Sequence, residues 1–255
     1  MQFIAADWSG NATAAAQFTG VAVVRDGRLV SAETGRTGNL LADHLKDLAS
    51  ADQHTIVGLD FAFSFPAWFL DERGFADVEQ LWGAARTEGE VWLRGPHPFW
   101  GRPGTIRPEL AEHFRVTERN VPATTGISPK SVFQVLGAGA VGTGSIRGMP
   151  FLLSLVERGF HVWPFEDGWP LVIEIYPRIL TGPVRKSDPV ARLEYLQKPR
   201  WRLEPKMAQL VASSEDLFDA AISALVMAQN KHELSGLKPS TDPVTMKEGQ
   251  IWFPA

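Results

Sequence analysis

Apolar and polar positions in the first quarter of the chain predict three strands, a helix and a fourth strand. FIAAD (residues 3–7) is a short apolar run ending in an acid, and the turn formers Ser9, Gly10 and Asn11 follow it. FTGVAVVRD (18–26) passes through Gly27 directly into RLVSAET (28–34), so Asp26-Gly27 marks a tight hairpin. In LLADHLKDLAS, Leu40, Leu41, His44, Leu45 and Leu48 recur at helical spacing, with Asn39 as the expected N-cap. HTIVGLDFAFSFP (54–66) then reads as a long buried strand stopped by proline. Hairpin-linked strands, a crossover helix and a buried fourth strand form half of an α/β fold.

The pattern changes over residues 67–170, where Pro, Gly, Arg and Trp are dense and strand periodicity is weak. This stretch is expected to be an insertion of helices and ordered loops within a single domain spanning 1–255. LVIEIYP (171–177) returns to the strand pattern, and SSEDLFDAAISALVMAQN (213–230) is the clearest helix, with Ser213 and Asp216 resembling a capping box. Near the end, IWF is expected as an edge strand or a clasp.

Five acids fall where apolar residues would be expected. Asp7 ends the first strand, Asp60 lies between Leu59 and Phe61, Glu174 lies between Ile173 and Ile175, and Asp216 and Asp219 open an otherwise apolar helix. A buried lone carboxylate costs several kcal/mol, so each needs a partner, a metal or a route to solvent. Asp216 and Asp219 are three apart and share a helix face with Ser223 beside them. In sheets rich in parallel strands, sites gather at the carboxyl ends of the strands, where Asp7 and Asp60 fall. If those strands are neighbours and the last helix packs beside them, the carboxylates converge into a set suited to Mg²⁺ or Mn²⁺. Such ions support phosphodiester hydrolysis. Each acid also has an ordinary role open to it: Asp7 bonding turn amides, Asp60 capping a loop, Asp216 facing a helix dipole, Glu174 facing solvent or pairing with Arg178.

Composition narrows the chemistry. The chain has no cysteine, which excludes disulfides, thiolate zinc sites and cysteine nucleophiles. The opening MQFIAADWSG has neither a basic lead nor a long apolar run, and no stretch approaches the about 18 unbroken apolar residues of a membrane span. A cytoplasmic location without a membrane partner is expected. A net charge of −4 argues against a chain that coats nucleic acid, so contact with a nucleic acid or nucleotide would have to be local.

The motifs DWSG, GLDFAFSFP, VIEIYPR and DLFDAAISA, with SPKSVFQ and GAGAVGTGS between them, occur in the order of a known family. Over nearly its whole length the chain resembles the family called domain of unknown function 429, whose members are described as predicted ribonuclease H-like nucleases. The resemblance implies a ribonuclease H-like fold, a mixed five-stranded sheet flanked by helices. It also implies functional acids at Asp7, Asp60 and Asp219, with Asp216 and Glu174 as further members. Holliday-junction resolvases are similar in layout, with acids on the first strand, the fourth strand and the last helix.

Other signals are weaker. Gly137, Gly139 and Gly142 satisfy G-x-G-x-x-G, with Glu166 or Asp167 further on. A dinucleotide site needs VFQVL (132–136) to be a strand and needs a crossover helix where the proline of RGMPF falls. A tight loop offering amides to a phosphate is the expected role. Residues 94–130 carry six basic side chains among Phe99, Trp100 and Phe114, a composition that fits either nucleic-acid contact or loop packing. A second basic cluster, KPRWRLEPK, precedes the acidic helix. Lys130, Arg202 and Lys206 are the expected phosphate contacts. No metal-binding H-x-x-x-H, esterase G-x-S-x-G or P-loop pattern occurs.

The leading expectation is a metal-dependent phosphodiester hydrolase with Asp7, Asp60 and Asp219 as Mg²⁺ or Mn²⁺ ligands, supported by Asp216 and Glu174. Two rivals stand beside it: an ATP-binding phosphotransferase or ATPase of the actin-like fold, and a non-catalytic binding module.

Overall fold

The computed structural model of the chain describes residues 1–109, 112–122 and 126–254. Seven strands form one mixed sheet: β1 (Gln2–Asp7), β2 (Gly20–Arg25), β3 (Arg28–Glu33), β4 (Thr55–Leu59), β5 (His161–Val162), β6 (Leu171–Ile175) and β7 (Ile251–Trp252). Its order is β3-β2-β1-β4-β6-β5, with β7 also paired to β6. The first three strands are antiparallel neighbours, and β1, β4, β6, β5 and β7 run parallel where they pair. The family resemblance implies five strands, and the expected edge strand at IWF is β7. The additional pair arises because β5 and β7, two residues each, lie end to end along β6, at Leu171–Val172 and Glu174–Ile175.

The hairpin forms as its sequence dictates. Arg25 faces Arg28, and Asp26 and Gly27 take φ of +50° and +70°, the paired positive angles of a two-residue turn whose twist suits its strands. Two helix starts differ from expectation by a residue or two. Thr37, not Asn39, precedes the helix Gly38–Ala51, and Ser214, not Ser213, caps Glu215–Gln229 by accepting from Leu217 N at 3.0 Å. Also, β4 stops at Leu59 and does not run on to Pro66.

Helices cover both faces of the sheet. Alternate residues of each central strand enter separate cores: Ile4, Ala6, Val57 and Val172 on one face, and Phe3, Ala5, Ile56, Ile173 and Ile175 on the other. The first core is completed by the insertion, through Trp82, Phe99, Phe133 and the buried face of the helix Gly142–Val156. Pro150, the proline that argued against a crossover helix at RGMPF, lies inside that helix. An internal proline costs about 3 kcal/mol, and burial of Ile146, Met149, Phe151, Leu152 and Leu155 at about 1.5–3 kcal/mol each outweighs it. The second core is built by the helix Glu215–Gln229, every residue of which from Leu217 to Met227 is buried, together with Pro189–Leu196 and Pro205–Ala212. Among the described residues, no helix is long and apolar enough to cross a membrane.

Candidate functional site

Strand register brings the first two acids together. Ala6 pairs with Leu59 across the parallel β1–β4 ladder, and Asp60 N donates to Ala6 O at 3.1 Å. Asp7 and Asp60 are therefore the next pair in register, at the carboxyl end of both strands. Alternation places both on the face that carries Phe3, Ala5 and Ile56, the face covered by the acidic helix. That helix approaches closely because Gly20, opposite Asp7 in the β1–β2 ladder, has no side chain; a Cβ there would lie 2.5 Å from Asp216 O.

Burial, then the charges of Asp60, Asp219 and Asp216, push the Asp7 carboxyl well above its ordinary range. Asp60 is raised to about 7, by burial first and then by Asp219. Asp219, its side chain only 4 % exposed, is raised by burial, although Lys186 Nζ pairs with its Oδ2 and opposes the shift. Asp216 is half-buried and raised for the same first reason. The ordinary roles open to Asp7 are filled by others: Asn11 Oδ1 accepts from Thr13 N and Ala14 N at 2.9 Å, and Ser9 Oγ from Asn11 N at 3.2 Å.

Glu174 belongs to a different arrangement. It is one residue out of phase with Ile173 and Ile175, so it points to the opposite face. There it is buried and neither solvent-facing nor paired with Arg178. Its Oε2 accepts from Arg115 Nη1 at 2.8 Å and from Phe63 N at 2.9 Å. Arg115, 1 % exposed, also holds Glu118 through Nε at 3.0 Å and the carbonyl of Glu248 at 3.0 Å. With both oxygens engaged, Glu174 ties the insertion and the C-terminal segment to the sheet and is not free to ligate an ion beside Asp60.

A cleft of about 500 Å³ is bordered by one acid of this cluster, Asp60, and by Glu174, Trp8, Asn11, Lys130, Thr143 and Tyr176 among others. The start of the helix Gly142–Val156 forms one wall and lies against the turn after β1: a Cβ on Gly10 would lie 2.6 Å from Gly144 Cα. Ala140, Val141, Thr143 and Gly144 border the cleft, and the motif glycines Gly137 and Gly139 form a tight turn before them at φ of +101° and +72°. It is not a dinucleotide fingerprint, because VFQVL contributes only an isolated bridge from Gln134 to Trp100 and no strand.

The basic residues divide. Lys130 is exposed on the cleft rim, whereas Arg202 and Lys206 are exposed elsewhere and do not line it. The cluster that contains them is spent on packing, with Lys198 and Arg200 against the Tyr195 ring at 4.6 and 5.1 Å. The segment 94–130, of which 110, 111 and 123–125 lie outside the described residues, also packs. Phe99 is fully buried among Phe65, Phe69, Trp92 and Phe133, and Arg107 lies 5.2 Å over Trp100. The basic group nearest the acids is Lys186, from a loop with no periodicity or motif to single it out.

Among the described residues, no three His, Cys, Asp or Glu side chains stand in a ready metal-ligating arrangement. The donor set nonetheless suits a hard cation. Three carboxylates are held together against their repulsion, and two buried oxygens on one helix face, Asp219 Oδ1 and Ser223 Oγ, lack any hydrogen-bond partner. Compared with known proteins, the chain matches no family model, no curated protein and no solved structure.

Proposed function

We propose that the chain is a ribonuclease H-like, divalent-metal-dependent phosphodiester hydrolase, in keeping with its resemblance to the domain of unknown function 429 family. The observation that carries this reading is the convergence of Asp7, Asp60 and Asp219 at the carboxyl ends of β1 and β4. Burial raises all three above the ordinary carboxylate range, and the charge of Asp219 adds to the rise at Asp7 and Asp60. Carboxyls gathered and raised in this way at one sheet edge are candidates for a functional site, and a bound cation would relieve the repulsion that remains between them.

Asp7, Asp60 and Asp219 would hold Mg²⁺ or Mn²⁺, with Asp216 at the margin. The bound ion would supply activation of water and stabilisation of a leaving oxygen. The chain's own residues would do the rest. Lys130 would meet a phosphate from the rim, and the helix Gly142–Val156 brings its N-terminal end, the positive end of its dipole, to the cleft wall. The Tyr176 phenol, raised to about 12 by burial and by Asp60, stays protonated as a hydrogen-bond donor.

Calorimetric titration with Mn²⁺ or Mg²⁺, paired with hydrolysis of single-stranded DNA, RNA and dinucleotides, tests the proposal. Wild type should bind and cleave, and Asp7→Asn should do neither. The reading fails if neither ion binds and Asp7→Asn leaves every activity unchanged. The start of the helix Gly142–Val156 on the same cleft also favours a second reading, a mononucleotide site of the actin-like kind. An ATP-induced rise in melting temperature would select it. A non-catalytic module would instead gain stability from acid-to-amide changes and lose no function.

A further inference from the structure

Lys186 lies in the loop between the helices Pro177–Thr181 and Pro189–Leu196, and that loop is fastened from beneath. Arg192, buried at 4 % exposure, donates through Nη1 to the Lys186 carbonyl and through Nε to Ala212 O at 2.9 Å. The Lys186 backbone is thereby fixed, and its Nζ reaches the buried Asp219 Oδ2. Only one oxygen of Asp219 is answered in this way; Oδ1 stays buried and unpartnered, as does Ser223 Oγ. Burial works against the Lys186 charge, but Asp219, Asp7 and Asp60 outweigh it and raise its pKa, so the ammonium feels the whole cluster. At 25 % exposure, its side chain has room to leave toward solvent.

We propose that Lys186 is a tethered counter-ion, which holds the acidic cluster together in the metal-free protein and gives up Asp219 when a divalent cation binds. The released ammonium then stands beside the ion, where it can meet a phosphate oxygen of the substrate. The inference rests on the metal-site reading above and adds that metal affinity is set by competition with a side chain of the same protein.

Mn²⁺ titration of wild type, Lys186→Gln and Lys186→Arg by calorimetry reads this directly. Removing the competing charge should tighten Mn²⁺ binding about tenfold in Lys186→Gln, and Lys186→Arg should stay near wild type. A lysine with a merely structural role would give the opposite sign, since its loss would loosen the site. Affinity in Lys186→Gln equal to or below wild type overturns the inference. Should that variant not fold without metal, wild type carries the test through the Lys186 Nζ signal of ¹⁵N-lysine-labelled protein. Mg²⁺ should abolish its protection, and an unmoved signal refutes the exchange. Tighter Mn²⁺ binding in Lys186→Gln with no phosphodiester cleavage by wild type would keep this inference and remove the nuclease reading. Cleavage by wild type with equal affinities would do the reverse.

Discussion

Asp60 and Glu174 stand near the ends of neighbouring parallel strands, yet their carboxylates face opposite layers, because a strand turns successive side chains to opposite faces. Glu174 meets a buried guanidinium; Asp60 meets two other acids. Removing one partner of a buried pair leaves the other charge unanswered, so Arg115→Met should lower stability by about 3–5 kcal/mol in denaturant titration. Arg115→Met combined with Glu174→Leu should recover part of that loss. The acids behave in the opposite way. Asp60 is raised to about 7, and Asp7 and Asp219 are raised as well, so the folded protein binds more protons than the unfolded chain between their unfolded and folded pKa values. Stability of the metal-free protein should therefore fall as pH rises through that window and level off above it. We expect a melting temperature about 3–6 °C higher near pH 5.5 than near pH 8, a difference that saturating Mg²⁺ removes.

The elements matter through how closely they approach. The acidic helix reaches Asp7 because β2 begins with glycine, and a Cβ at Gly20 would meet Asp216 O at 2.5 Å and Asp216 C at 2.6 Å, backbone atoms that cannot rotate aside. Gly20→Ala must push the helix Glu215–Gln229 outward. The expected cost is about 1–3 kcal/mol of stability, together with weaker Mn²⁺ binding in calorimetry, although no ligand has been touched. The same logic explains how much of the fold was legible. The strands β1 to β3 and the helix Glu215–Gln229 followed their periodicity to within a few residues, because burial selects apolar positions that local spacing reveals, whereas β4 ended at Leu59, well short of Pro66. VFQVL forms no strand, in keeping with the loop expected there, and the proline of RGMPF lies inside a helix because packing of the insertion against the sheet outweighs local propensity.

At the scale of the molecule, a net charge of −4 leaves little general attraction for a polyanion, so recognition falls to the few groups on the cleft. Lys130→Ala should weaken binding of a phosphodiester substrate severalfold and reduce the salt dependence by about one ion, measured by fluorescence anisotropy in Ca²⁺. Arg202→Ala and Lys206→Ala, which lie away from the cleft, should leave both unchanged. Choosing those two from the sequence relied on nearness along the chain to the acidic helix. Proximity in sequence says little about direction in space, and their cluster turned to Tyr195 instead.

What the chain determined by itself was which residues sit badly among their neighbours. Asp7, Asp60, Asp219 and Glu174 are visible as acids within apolar runs, since the cost of burying charge is a property of the side chain and its local pattern. Only the tertiary structure decided what answers each charge. The Arg115 that neutralises Glu174 is 59 residues away, and the Lys186 that meets Asp219 is 33 away. Neither distance has a period, so the sorting of one acid into a strut and three into a cluster came from strand register, side-chain parity and the close packing of one helix against glycine.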